Sequence, residues 1–149
     1  MAVLVTLILG TLGARLVGWL GVDYVDSWPQ AVAVGLAAMF VMTGVAHFVP
    51  GMRRDMIAIV PPRLPTPGLL VTITGMLELL GAVGLLYPPT RVAAAVCLFA
   101  LMLVMFPANV YASRMPNPPK SMTSRLDVRT VEEAIYLGAA VVVGLGGIQ

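Results

Sequence analysis

Residues 68–87 read GLLVTITGMLELLGAVGLLY, an apolar run of 20 residues in which Glu78 is the single charged side chain. Pro67 and Pro88 bound the run. A helix that crosses the hydrocarbon core of a bilayer needs about 20 mainly apolar residues. An ionisable group near the middle of such a helix costs at least about 2.5 kcal/mol to insert, so it usually serves a function. The stretch therefore predicts a membrane span that carries a functional acid.

The composition of the whole chain agrees with a membrane location. Of its 149 residues, 59% are hydrophobic and 11% are charged, and the mean hydropathy is +0.95. A soluble domain carries about 25% charged residues. The isoelectric point is near 9.0, but the basic residues lie between apolar runs and form no stripe or recognition helix, which argues against nucleic-acid binding. We therefore predict an integral membrane protein.

Five apolar runs are each close to the length of a bilayer span, and we predict a single all-α transmembrane domain over residues 1–149. The first run lacks a basic leading region and a clear cleavage motif, so we interpret it as a span and not as a signal peptide. A short interfacial helix is predicted over 51–60, where Met52, Met56 and Ile59 share one face. The predicted spans are 2–20, 30–48, 68–87, 92–112 and 131–148.

The distribution of charge predicts how these spans are oriented. Asp23 and Asp26 lie between the first two spans, where Lys and Arg are absent. Seven of the nine basic residues follow the second or the fourth span: Arg53, Arg54, Arg63, Arg114, Lys120, Arg125 and Arg129. Basic connections stay on the cytoplasmic side. We therefore expect a multi-pass protein of the cell membrane, with its N-terminus in the cytoplasm and its C-terminus outside.

Glu78 is predicted to face the interior of the bundle, because its helical neighbours are small and let another helix approach closely. Arg15 is predicted to lie at nearly the same depth in the membrane as Glu78. At a rise of about 1.5 Å per residue, their depths differ by only about 5 Å. One interpretation is an ion pair between Arg15 and Glu78. The other, held equally, is that Arg15 reaches the outer headgroups. The small neighbours are Thr74, Gly75, Gly81 and Ala82.

A second polar layer is predicted nearer the cytoplasm, separate in depth from Glu78. His47 lies near the inner end of the second span with Thr43 on the same face, and Asn109 lies near the inner end of the fourth. Pro107 removes a backbone donor there, so a polar pocket is plausible. A single histidine near an interface is more often structural than a ligand or a base, and Asn109 equally suits helix packing.

Several other features indicate residues with a structural role and not a catalytic one. Cys97 is the single cysteine, which excludes an intrachain disulfide and a thiolate metal cage. Any redox chemistry therefore needs a bound cofactor. His47 is the single histidine, and we predict no metal site. Thr130 with Glu133 three residues later resembles a capping box at the start of the last helix. Glu132 and Glu133 are accordingly expected to stabilise a first helical turn.

Several motifs, in order, resemble the DoxX-like family of small membrane proteins. The resemblance covers about Gly44 to Tyr111, nearly half of the chain. It implies a four-helix membrane bundle, here with one additional N-terminal span. The last helix departs from the family pattern, since a Pro-Leu-Gln element is expected near Tyr136. The motifs are Gly44-x-x-His47-Phe48, Pro62-x-Leu64-Pro65, Gly75-x-x-Glu78-Leu79-x-Gly81-x-x-Gly84-Leu85-Leu86-x-Pro88 and Phe106-Pro107-Ala108-Asn109.

The resemblance implies a fold more firmly than a reaction. Some members resemble the membrane subunit of an archaeal thiosulfate:quinone oxidoreductase, so one hypothesis is a subunit that binds a quinone and works with a redox partner protein. His47, Glu78, Asn109 and Tyr111 would then supply polar groups. A second hypothesis is a non-enzymatic assembly factor or hydrophobic-ligand carrier, and a third is a proton-coupled transporter that uses Glu78. We expect no self-sufficient enzyme, and expect as partners the bilayer, a redox protein or a second copy of the chain.

Overall fold

The structure is a computed structural model, and it describes residues 1–147. Within that range the chain is helical and contains no β-strand, which confirms the predicted all-α class. Short 3-10 turns occupy Asp23–Val25, Pro88–Thr90 and Lys120–Met122. The α-helices are α1 (Ala2–Trp19), α2 (Trp28–Ala46), α3 (Pro50–Ala58), α4 (Pro67–Leu86), α5 (Arg91–Ser113) and α6 (Leu126–Gly146).

Four helices of the described chain, α1, α2, α4 and α5, are long and apolar enough to cross a membrane. Their bounds lie within two residues of the predicted spans. The short helix α3 corresponds to the predicted interfacial helix and buries none of its residues. The fifth predicted span corresponds to α6, which begins five residues earlier and carries charged residues in its first two turns. That span stays a prediction, and its last residue, Ile148, lies outside the described residues.

Four of the long helices form a bundle, and α1 packs against its outside. Contacts join α2 to α4, α4 to α5, α5 to α6, and α6 back to α2, whereas α1 packs mainly on α2. The helices α4 and α6 run antiparallel to α2 and α5, so one end of the bundle gathers the last turns of α2 and α5 and the first turns of α4 and α6. The buried core includes Leu36, Phe40, Ala82, Leu85, Leu98 and Val143.

Glycines bring neighbouring backbones into direct contact. A Cβ atom at Gly35 of α2 would lie 2.7 Å from the Leu7 carbonyl oxygen, and one at Gly10 of α1 would lie 2.9 Å from the Gly35 Cα atom. Helices in a membrane gain little from burying apolar surface against each other, so their association depends on such close packing. The contact between α1 and α2 therefore requires that Gly35 has no side chain.

The starts of two helices, α6 and α2, differ from expectation. The predicted capping box at Thr130 and Glu133 is wrong, since α6 begins at Leu126 and the Thr130 hydroxyl donates to the Leu126 carbonyl at 2.8 Å. Asp127 is the acidic residue of the first turn, and it accepts the Val128 N–H at 2.9 Å. A capping box that sequence reasoning missed does start α2, where Ser27 and Gln30 exchange hydrogen bonds.

Substitution of Gly35 by Ala should destabilise the protein by about 1 to 3 kcal/mol, because the added methyl group overpacks the contact between α1 and α2. Gly13 of α1 is the matched control, since a Cβ atom there meets nothing within 4 Å. In a helix, Gly13→Ala should be neutral or stabilise by up to about 1 kcal/mol. Thermal unfolding of both variants in detergent measures the difference, and equal stabilities would contradict the packing.

Candidate functional site

A cavity of about 380 Å³ lies at the end of the bundle where α2 and α5 end and α4 and α6 begin; we call this the cavity end. Its wall is mainly hydrocarbon. Apolar lining residues include Met39, Phe40, Val71, Met102, Met105 and Pro107. Ligand sites in proteins are typically concave, mostly apolar and marked by a few converging polar groups. The polar groups of this cavity therefore decide what it can hold.

Glu78, Thr43 and His47 form a buried cluster on one wall. The Glu78 and His47 residues are 3% and 4% exposed. The Thr43 hydroxyl donates to Glu78 Oε2 at 2.6 Å, and His47 Nδ1 lies 2.9 Å from the Thr43 carbonyl oxygen. A carbonyl oxygen can only accept, so Nδ1 carries a proton and Nε2 is left for another partner. Nδ1 is 3.9 Å from Glu78 Oε2, beyond hydrogen-bond range.

Two glycines position this cluster by letting α2 and α4 approach. A Cβ atom at Gly75 would lie 2.9 Å from His47 Cγ, and a Cβ atom at Gly44 would lie 2.8 Å from Leu79 Cγ. The imidazole ring therefore occupies the space that a side chain at position 75 would fill. The same approach brings the Thr43 hydroxyl within reach of the Glu78 carboxyl group.

The opposite wall is one face of α6. Arg129, Glu132, Glu133 and Tyr136 line the cavity, and their spacing of three or four residues places them on the same side of the helix. Tyr136 is 8% exposed. Its hydroxyl and the Glu133 Oε1 atom are buried and have no hydrogen-bond partner in the part of the chain that the structure describes. Buried polar atoms are nearly always paired, so these two are groups beside the cavity whose hydrogen-bonding capacity is unused.

Arg129 ties α6 to α5 and to the connection between them. Its guanidinium donates to Asn109 Oδ1 at 2.9 Å, to the Met122 carbonyl at 2.6 Å and to the Ser124 carbonyl at 3.0 Å. Asn109 lines the cavity, and so does Met122. Asn109 therefore combines both roles that the sequence suggested, as a helix-packing residue and as part of a polar pocket.

Arg53 fixes the other corner of the cavity end. It donates to the His47 carbonyl at 3.2 Å, to the Gly68 carbonyl at 2.9 Å and to the Thr72 hydroxyl at 2.9 Å. One guanidinium thus satisfies a carbonyl in the residues that close α2 and another in the first turn of α4. These bonds hold α3 against α4 and help to set the position of His47.

The predicted ion pair between Arg15 and Glu78 is wrong. Arg15 instead pairs with Asp26 at 3.1 Å, and its guanidinium lies 5.1 Å from the centre of the Trp19 ring and 5.6 Å from that of Trp28. The physical reason is the packing order. Helix α1 packs on α2 and not on α4, so Arg15 extends to the end of the bundle opposite the cavity. The alternative, that Arg15 reaches the headgroups, stays a prediction.

The predicted separation of Glu78 from His47 is also wrong. Side chains of a helix lean toward its N-terminus, so Glu78 leans toward the cavity end while His47 leans away from that end. The antiparallel pair therefore brings together two residues whose Cα depths differ. Of the other predicted site residues, Thr43 and Asn109 line the cavity, whereas Tyr111 is half-buried on α5 and is not among its lining residues.

Sequence reasoning missed the contribution of α6. From the sequence, Arg129 was interpreted as part of a basic connection and Glu133 as part of a helix cap. Tyr136 was interpreted as a departure from a family pattern. Their spacing along one helical face was the signal that could have identified them.

Among the described residues, no group of three or more His, Cys, Asp or Glu could hold a metal ion. The site is therefore a set of hydrogen-bonding groups around an apolar space.

Substitution of Thr43 by Val should destabilise the protein by about 1 to 3 kcal/mol, because the buried Glu78 carboxyl group loses its hydroxyl donor. Thr74→Val is the matched control on α4. The Thr74 hydroxyl donates to the Leu70 and Val71 carbonyls of its own helix, so its removal should cost less than about 0.5 kcal/mol. Equal losses in a detergent unfolding assay would show that the bond between Thr43 and Glu78 has no special weight.

Comparison with known proteins gives one match. No curated protein and no solved structure matches the chain. Residues 36–141 match a family described as a domain of unknown function (DUF8561). That range begins within α2 and ends within α6, and it holds every residue that lines the cavity except Val3. Because the match covers more than half of the sequence, the chain belongs to the DUF8561 family.

Proposed function

We propose that this protein is a membrane subunit that binds a quinone, or an apolar ring ligand of similar size, and works with a redox partner protein. The observation that carries the proposal is the cavity of about 380 Å³, apolar over most of its wall, into which polar groups of α2, α4 and α6 converge. Small-molecule sites typically enclose roughly 300 to 1,000 Å³. The cavity is therefore of a size that holds one ring system.

The available polar atoms match the chemistry of a quinone. Its two carbonyl oxygens accept hydrogen bonds, and the Tyr136 hydroxyl is a buried donor without a partner among the described residues. Two-electron reduction to the quinol adds two protons, for which Glu78, His47 and Glu133 are nearby acid–base groups. The electrons would come from the partner protein, because the chain supplies binding and orientation while the cofactor carries the redox chemistry.

We further propose that α6 is a fifth span and that the cavity end faces the cytoplasm. Most basic residues of the chain lie in the connections at that end, consistent with the positive-inside rule. Trp19, Tyr24 and Trp28 are exposed at the opposite end, where aromatic rings suit the headgroup region. This arrangement places the N-terminus in the cytoplasm and the C-terminus outside.

Membership of the DoxX-like group is part of this proposal. Three residues of the motifs that carry the resemblance, His47, Glu78 and Asn109, line the same cavity although they lie on three different helices. Motif residues that converge on one space support a shared ligand site more than a shared packing role. The resemblance in turn favours a quinone over other apolar ring ligands.

Packing in the other half of the bundle favours binding over proton-coupled transport. Ala82, Leu85, Leu98 and Val143 are almost completely buried there and fill the space between α4, α5 and α6. A transport path needs alternating access across the membrane around its site. A cavity confined to one half fits a ligand that arrives and leaves on one side.

Tyr136→Phe should weaken the binding of a benzoquinone by about tenfold, because it removes a buried donor that faces the ligand. It should leave stability unchanged or slightly higher, since the hydroxyl is unpartnered in the free protein. Titration of the quinone into protein in lipid nanodiscs, followed by native mass spectrometry, measures the affinity. Tyr111→Phe on α5 is the matched control and should bind as the unmodified protein does.

Two results would contradict the proposed function. The first is that no quinone binds to the unmodified protein at any concentration that the bilayer accepts. The second is that Tyr136→Phe and Tyr111→Phe bind equally well. Loss of stability in Tyr136→Phe would show instead that its hydroxyl has a structural partner.

A further inference from the structure

The cavity reaches the side of the bundle between α4 and α5. Val104 of α5 lines the cavity, yet it is 75% exposed. A residue that lines the cavity can also be exposed on the outside of the bundle if the cavity opens to the outer surface at that residue. The neighbouring lining residues on the two helices are Leu70, Thr74, Met105 and Ala108. In a bilayer this opening faces lipid.

The packing of α4 explains why the opening exists. In the half of the bundle away from the cavity, α4 contacts α5 closely, since a Cβ atom at Gly84 would lie 2.8 Å from Ala94 Cβ and one at Gly81 would lie 2.6 Å from Leu98 Cγ. At the cavity end the close contact of α4 is with α2, through Gly75 and His47. Helix α4 therefore leaves α5 as it approaches α2, and the gap widens toward Val104.

The end of the cavity beyond the helices is partly covered. Ile59 is 7% exposed and lines the cavity together with Pro61 and Leu64, which follow α3. Met122 lies over the same end, and Arg129 holds its carbonyl at 2.6 Å. The Ser121 hydroxyl also donates to Asp55 of α3. These contacts join α3 to the connection between α5 and α6 and cover part of this end, where Leu64 is 48% exposed. Val104, at the gap between α4 and α5, is more exposed, at 75%.

The rim of the gap is hydrocarbon, whereas the far wall is polar. Thr74 is the single rim residue with a polar side chain, and its hydroxyl is already bonded to the Leu70 and Val71 carbonyls. His47 directly follows α2 and Tyr136 lies on α6, away from the two helices that frame the gap. The space therefore has a polar inner part and an apolar mouth, which suits a ligand that is polar at one end and apolar at the other.

We infer that the gap between α4 and α5 is a lateral portal for a tailed, membrane-dissolved ligand whose polar ring lies in the cavity and whose hydrocarbon tail extends past Val104 into the bilayer. The inference rests on the proposed function and narrows its ligand class to quinones that carry a chain. A ligand of this kind never needs to enter water. Val104, at the mouth, is apolar and 75% exposed, as expected of a residue beside a hydrocarbon chain.

The test compares two benzoquinones with the same ring, one with a decyl chain and one with hydrogen in its place. Val104→Trp should weaken binding of the decyl compound by about tenfold, because the indole occupies the exit of the chain. The compound without a chain fits inside the cavity, so its affinity should change by less than about twofold. Both affinities are measured in nanodiscs and referred to the quinone concentration in the bilayer.

Val96→Trp is the matched control, since Val96 is also an exposed valine of α5, at 60%, but does not line the cavity. It should leave the binding of both compounds unchanged. Equal effects of Val104→Trp on the two compounds, or equal effects of Val104→Trp and Val96→Trp, would overturn the portal while the proposed function stands. Failure of both compounds to bind the unmodified protein would overturn the proposed function and the portal together.

Discussion

The hydrogen bond from the Thr43 hydroxyl to the Glu78 carboxyl group, at 2.6 Å, is the contact on which the rest of the site depends. A carboxyl group inside a bundle of apolar helices is costly unless it is hydrogen-bonded. The bond requires that α2 and α4 come close, and Gly44 and Gly75 make that possible. The need to satisfy one buried acid therefore fixes the spacing of two helices and places His47 beside it.

The shape of the cavity follows from the same constraint. Helix α4 packs on α2 at the cavity end and on α5 at the other end, so it crosses the bundle obliquely and opens a space beside α5. Helix α6 closes that space from the far side with Tyr136 and Glu133. Arg129 then binds the connection between α5 and α6 through the Met122 carbonyl, and Arg53 holds α3 against α4 through the Gly68 carbonyl. The position of α4 thus determines the helix packing, the hydrogen bond between Thr43 and Glu78, and the gap beside α5 together.

The sequence predicted the helices well because each is a local pattern. An apolar run of bilayer length between prolines or charged residues identifies a helix without any knowledge of its neighbours. The burial of Glu78 and the close approach of other helices at Gly75 and Gly81 were predicted for the same reason. The start of α6 was misplaced because the pattern of Thr130 and Glu133 resembles a capping box, whereas Asp127 is the acidic residue of the actual first turn.

The contacts between helices could not be predicted in the same way, because they depend on packing order. Arg15 was placed near Glu78 by depth alone, but α1 packs on α2, and Arg15 finds Asp26 instead. His47 was separated from Glu78 by depth, yet the opposite tilt of side chains on antiparallel helices brings them to 3.9 Å. The spacing of Tyr136 with Arg129 and Glu133 marks one face of α6, but only the packing of the helices shows that this face lines a cavity.

The hydrogen bonding of His47 beside Thr43 and Glu78, and its role in the ligand site, are tested most directly by the nitrogen NMR spectrum of ¹⁵N-histidine-labelled protein in a bilayer. His47 is the single histidine, so each ring nitrogen gives one assignable signal. We expect Nδ1 to carry a proton bonded to the Thr43 carbonyl, and the Nε2 signal to shift when a benzoquinone saturates the cavity. An unprotonated Nδ1, or an Nε2 signal that a saturating quinone leaves unmoved, would contradict this expectation.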